Sequence, residues 1–292
     1  MTSQDKSAIL LVAYGSLSQR ALDTYDEIIS AYRKEFSQSD VNLAFTSSFI
    51  RRRLSDRNGV VFPSPLNALA NLQDQGYRRI VVQSLQVVPG SEFHQTASVA
   101  SGLGIIRGKF GFEGLEMGMP LLTGIDDCRR VSAALGAELG MVNKKKQASG
   151  QVADSSGECC EHEAVVLMGH GTSHMAQSAY SQMAAILERD YGNVFLGTMD
   201  AFPGVEEILV QLNKSGIKRI RLMPFLLVAG GHAQEDLAGD GPASWKSIFA
   251  KADIQTEVHL KGLAENSRIL GIFLEHTEQA AERLEKSRAV KD

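Results

Sequence analysis

Cysteine is scarce in this chain, with three in 292 residues, and two of the three, Cys159 and Cys160, are neighbours. Such a set makes a poor disulfide framework and fits a reducing compartment. A cationic excess is also missing. Lys and Arg number 30 against 34 acids, a formal net charge of −4. That balance argues against nucleic acid as the main partner. No apolar run approaches the length that spans a bilayer. The first one, residues 8–13, is too short even for a signal-peptide core. The expectation is a soluble cytoplasmic protein with no membrane partner. Neither Gly15 nor Gly171 belongs to a Gly-x-Gly-x-x-Gly or phosphate loop. No Gly-x-Ser-x-Gly elbow surrounds a candidate nucleophile.

What remains is ordinary globular composition, 43% hydrophobic and 22% charged, in a chain long enough for two cored domains. The organising stretch is 220–236, where an apolar run rich in branched residues stops at Gly230-Gly231 and His232 follows at once. A continuous apolar run is the mark of a buried parallel strand. Glycines let the backbone turn sharply and approach a ligand. His232 is therefore expected at the carboxyl end of a strand, where open α/β sheets bind ligands. Residues 165–174 repeat the pattern, with a short apolar strand, Gly169 and His170.

The other elements alternate. Strands are expected at 8–13, 41–50, 79–88, near 114–119, at 165–168 and 194–199. Helices are expected at 20–36, from about 63, at 93–107, 126–141, 175–190 and 204–212. Ser64 and Pro65 mark one helix start. The first half seen from Tyr14-Gly15-Ser16 matches the second seen from His170-Gly171-Thr172, and Gly76-Tyr77-Arg78-Arg79-Ile80 matches Gly216-Ile217-Lys218-Arg219-Ile220. Glu92 then stands opposite His232, and Tyr14 opposite His170. Duplication with alternating strands and helices predicts an α/β fold of two doubly wound parallel-sheet domains with a cleft between them. The boundaries are 1–141 for the N-terminal domain and 164–292 for the C-terminal one, whose final helix is a candidate to pack back on the first. Between them, 142–163 is polar, small and charged, which reads as an exposed linker.

Imidazole is the commonest side-chain ligand for a transition metal, so two histidines at two strand ends suggest one shared site. Asp200, after a third strand, would complete a shell of two imidazoles and a carboxylate. The competing role for Asp200 is a helix cap before Gly204. Glu92 is either an acid–base group or a first-turn acid favoured by the helix dipole. Arg51, Arg52 and Arg53 would suit an anionic substrate, against the plainer reading of a solvated helix start. His94 and His174 are expected on the surface. Cys159, Cys160 and His162 lack a second ligand pair at zinc spacing.

Met-Gly-His170-Gly-Thr, Gly-Thr-Met-Asp200-Ala-Phe-Pro, Val-Ala-Gly-Gly-His232-Ala-x-x-Asp and Val-Val-Pro-Gly-Ser-Glu92-Phe resemble the anaerobic, class II sirohydrochlorin cobalt chelatases of cobalamin biosynthesis, of the chelatase superfamily that includes ferrochelatase. The similarity covers nearly all of the chain outside 142–163. It implies two α/β domains around a tetrapyrrole cleft, and insertion of Co²⁺ into sirohydrochlorin with no ATP, no nucleotide and no larger subunits. It carries over His170 and His232 as metal ligands and proton acceptors, and Glu92 as an acid in the cleft. Asp200 falls where such enzymes usually have glutamate as third ligand, one methylene longer. Sirohydrochlorin bears eight carboxylates, so Arg51–Arg53 become rim contacts by charge and place. Tyr14 and Ser16, at the matching strand end, are expected to touch the same substrate. Ferrochelation of sirohydrochlorin or protoporphyrin stays open, as does a bilobal metal or tetrapyrrole carrier without chemistry. So does a homo-oligomeric state.

Overall fold

The structure, a computed structural model, describes residues 6–141 and 163–289. Of the stretch read as a linker, only Glu163 lies within them, and Cys159, Cys160 and His162 lie outside. The chain divides into two compact units. One runs up to Leu121 and resumes at Leu270; the other is Leu122–Ile269.

The first unit holds β1 (Ser7–Ala13), α1 (Gln19–Glu35), β2 (Asp40–Phe45), α2 (Ser48–Asn58), α3 (Pro65–Asp74), β3 (Arg79–Ser84), α4 (Ser91–Gly104) and β4 (Gly114–Gly118). Its four strands are all parallel, in the order β2-β1-β3-β4. A parallel sheet carries crossover helices on its faces, so its inner strands are buried on both sides. Accordingly Ile9 and Leu11 are as buried as Leu10 and Val12. Leu10, Val12, Ile80 and Val82 pack with Leu69 and Leu72 of α3 and with Ala100 of α4.

The second unit repeats the plan. It holds α5 (Ile125–Glu138), β5 (Glu163–Gly169), α6 (Gln177–Tyr191), β6 (Val194–Thr198), α7 (Val205–Lys214), β7 (Arg219–Pro224), α8 (Trp245–Lys251) and β8 (Gln255–Val258). The order is β6-β5-β7-β8, again all parallel. Val166, Met168, Ile220 and Leu222 form a core with Ile208 and Leu212 of α7 and Trp245 and Phe249 of α8. The repeat extends to loop hydrogen bonds. Leu85 N–H donates to Val12 O at 2.8 Å, and Phe225 N–H to Met168 O at 2.7 Å. The final helix, α9 (Ser267–Ala289), crosses the division between the units. No helix among the described residues is long and apolar enough to cross a membrane.

Three expectations are corrected. The second strand stops at Phe45 and not at residue 50, because the Ser47 hydroxyl accepts the Ile50 amide at 3.3 Å and starts α2. Arg51–Arg53 therefore sit inside a helix and not at a strand's end. The strands expected to reach Val88 and to run on to Gly230 stop at Ser84 and Pro224. Beyond them the chain turns, with Gly90 N–H donating to Val88 O at 2.8 Å and Gly230 N–H to Val228 O at 2.9 Å. The short α8 and β8 were not expected at all.

Buried polar bonds fasten α9 to the first unit's sheet. Thr277 donates to Gln83 Oε1 at 2.8 Å and lies 3.1 Å from the Tyr32 hydroxyl. Gln83 in turn donates to the carbonyls of Ser84 at 2.6 Å and Met119 at 2.8 Å. Removing one member leaves buried partners unsatisfied, at about 1–3 kcal/mol. Thr277→Val keeps the shape and is predicted to lower stability by about that amount in urea unfolding; an unchanged midpoint would show that the network contributes nothing net.

Candidate active site

Parallel strands place all their carboxyl ends along one edge of the sheet. In the second unit β5 lies between β6 and β7, so the segments that follow these three strands are neighbours. His170 leaves β5, residues 199–203 leave β6, and His232 follows the turn after β7. The two imidazoles meet edge to face, with ring centroids 4.9 Å apart and planes at 86°. Both remain about half exposed.

Backbone pairing continues past the strand ends. Met199 N–H donates to Gly169 O at 3.0 Å and Asp200 N–H to His170 O at 3.1 Å. That pairing returns the Asp200 carboxylate to its neighbour's ring, with Oδ2 3.3 Å from His170 Nδ1. His170 Nδ1 also lies 3.2 Å from the carbonyl of Gly171. Asp200 does not cap α7: the N-cap is Gly204, whose N–H donates to Glu207 Oε2 at 2.8 Å. His232 precedes a short π-helical turn, Ala233–Leu237, and its Nδ1 lies 2.6 Å from Asp236 Oδ2. Such turns often mark functional sites. His170, Asp200 and His232 are thus brought together. Among the described residues, however, no group of three or more His, Cys, Asp or Glu could hold a metal ion. Both carboxylates sit at Nδ1 nitrogens.

Several side chains hold these loops that the sequence alone did not single out. The Gln177 amide accepts from Thr172 N–H at 3.0 Å and donates to Phe202 O at 2.8 Å and Thr198 Oγ1 at 3.3 Å. It ties the His170 loop to the Asp200 loop. The phenol of Tyr180 is buried, which raises its pKa, and hydrogen-bonds to the Gly171 backbone. Tyr25 and Gly15 repeat this contact in the first unit. His174 is used locally, its Nδ1 accepting from Ala176 N–H at 3.1 Å. Met175 and Phe202, on the two loops that Gln177 joins, are 89% and 70% exposed.

The remaining candidates lie in the first unit. Tyr14 is exposed at the end of β1, and its carbonyl accepts from Ser47 N–H at 3.2 Å. Ser16 is buried and accepts from Ser18 N–H at 3.2 Å. Arg52 and Arg53 are exposed on α2, and the Arg53 guanidinium lies 5.5 Å from the Phe49 ring centroid. Arg51 is half-buried, and its Nε is buried with no partner among the described residues. Glu92 is half-buried in the first turn of α4. His94 is exposed beside Phe93.

Gly171 shows how tightly the His170 loop is specified. Its φ is +84°, and a Cβ there would lie 2.9 Å from Thr198 Cβ. Left-handed backbone costs an L-residue about 1–2 kcal/mol, and overpacking adds about 1–3 kcal/mol. Gly171→Ala is predicted to cost about 2 kcal/mol or more in chemical unfolding and to displace His170; wild-type stability would show that the loop has room to adjust.

The chain is similar to known proteins along nearly its whole length. The family described as cobalt chelatase (CbiK) matches residues 7–282. The sirohydrochlorin cobaltochelatase CbiKC of Nitratidesulfovibrio vulgaris is 35% identical over 280 residues, covering 96% of this chain and 92% of that protein. The sirohydrochlorin cobaltochelatase of Salmonella typhimurium is 32% identical over 279 residues, covering 94% and 96%. Among solved structures, the sirohydrochlorin chelatase SirB from Bacillus subtilis subspecies spizizenii in complex with cobalt superposes with a TM-score of 0.59 at 16% identity, over 96% of this chain and 97% of that one. At that identity the likeness establishes the fold, two α/β units of the chelatase type. The match across the chain settles the family as well: this protein belongs to the cobalt chelatases.

Proposed function

We propose that this chain inserts Co²⁺ into sirohydrochlorin, a step of cobalamin biosynthesis, without ATP or another nucleotide. The observation that carries the reading is the pair of imidazoles from separate strand ends, 4.9 Å apart. Imidazole–metal bonds are about 2.0–2.1 Å, as in zinc sites, so rings this close are near enough to share one ion. The relatives' names supply the substrate class, and the independence from ATP is what the family resemblance implies.

The chemistry demands such a pair. A free tetrapyrrole holds two N–H protons inside its ring, and a divalent metal replaces both. Each departing proton needs an acceptor, and the ion must be partly stripped of water without being held too firmly. Neutral imidazole can accept a proton or bind a metal, because its unperturbed pKa lies near neutrality. Two nitrogens and few further ligands suit an ion that is to be handed on. The exposed Met175 and Phe202 would lie against the apolar face of the macrocycle. Arg51–Arg53, Tyr14 and Ser16 are proposed as substrate contacts on charge and sequence position, and Glu92 as a further acid–base group. Strain on the ring would come from binding energy at its carboxylates.

The test is turnover. With sirohydrochlorin and Co²⁺ in excess, the absorbance change is predicted to reach many equivalents of product per chain, with no nucleotide added. His170→Ala and His232→Ala are each predicted to lower kcat by about 100-fold or more, as loss of an acid–base group does, with the circular dichroism unchanged. A spectral change that stops at one equivalent would identify a carrier and not an enzyme, and faster turnover with Fe²⁺ would move the assignment to iron.

A further inference from the structure

We infer that Asp236 is a positioning residue that fixes His232 as the tautomer carrying its proton on Nδ1. The inference deepens the proposed chelatase reading and rests on it for its consequence, though not for its geometry. Asp236 Oδ2 stands 2.6 Å from His232 Nδ1. A carboxylate can only accept, so the ring nitrogen facing it must carry the hydrogen. In a neutral imidazole the proton is then absent from Nε2, which is left with a free lone pair. Carboxylate partners of metal-binding histidines fix tautomer and ring orientation in this way.

The local backbone makes the contact. Asp236 lies in the π-helical turn that begins directly after His232, which stacks the two side chains on one side of that turn. The turn is anchored by Ala233 and Leu237, both fully buried, so Asp236 is held by packing while its carboxylate stays half exposed. His170 is arranged to the same end by other means. Its Nδ1 faces the Gly171 carbonyl at 3.2 Å, with Asp200 Oδ2 at 3.3 Å. Both are acceptors, so this ring too keeps its hydrogen on Nδ1. In their neutral forms the two rings of the pair therefore each offer an unprotonated Nε2. A ring in the opposite tautomer would present an N–H, which can neither bind a metal nor take a proton from the macrocycle.

Two variants test this with two readouts. In the full chain labelled with ¹⁵N-histidine, without metal or substrate, long-range ¹H–¹⁵N correlation spectra report which nitrogen of His232 is protonated. Wild type is expected to show Nε2 bare. Asp236→Ala is expected to give a mixture of tautomers. Asp236→Asn keeps the shape but can donate an amide N–H to Nδ1, so it is expected to favour the Nε2–H form. In the chelation assay kcat is expected to fall by about 10–100-fold in both variants, the range seen when such partners are removed, with KM for sirohydrochlorin unchanged. A merely structural role predicts instead that the near-isosteric Asn variant behaves as wild type. That result, or a His232 tautomer identical in all three proteins, overturns the inference. A wild type with no chelatase turnover would sink the functional reading alone, and the spectra would still decide the role of Asp236.

Discussion

Parallel pairing of β5 with β7 is the constraint from which the site follows. The register Leu167 to Met223 and Met168 to Pro224 brings both strands to the same edge of the sheet. His170 follows one strand directly and His232 follows the other after a short turn. Neither side chain needs a long loop to reach the other. Because β6 lies on the far side of β5, Asp200 enters the same cluster by extension of the ladder, through its amide bond to His170 O. The chemistry is thus written at element ends, while element interiors do the packing.

The duplicated first unit carries the same scaffold with other residues at the two histidine positions. It has the same strand order and the same turn after its third strand. It also keeps the glycine of positive φ after its first strand, Gly15 at +99° beside Gly171 at +84° in the second unit, and the buried tyrosine bonded to it. In place of His170 it carries Tyr14, and in place of His232, Glu92. The two units thus share one loop architecture and differ in the residues it presents, and the proposed metal chemistry belongs to the second unit's pair.

Much of this was legible in the sequence, and the misses have physical causes. Apolar runs such as 8–13 and 165–168 read as buried parallel strands, and Gly-His after a strand end pointed to the pair. The run 41–50 misled because Ile50 is apolar in a helix as in a strand, and only the Ser47 cap separates the two. The β8 strand, Gln-Thr-Glu-Val at the sheet edge, is half exposed and carries no apolar run. Asp236 was visible as a letter of a motif, but its contact with His232 depends on a π-helical turn that no periodicity announces. Gln177 joins three groups on separate loops, a relation that exists only in three dimensions.

His170 and His232 are proposed to take one ion between them, and a crystal structure of the chain soaked with Co²⁺ alone can show it. A single cobalt is expected, bonded to Nε2 of both rings, with Asp236 still on Nδ1 of His232. Cobalt bound to one ring only, or held by other residues while the two rings stay vacant, would contradict it.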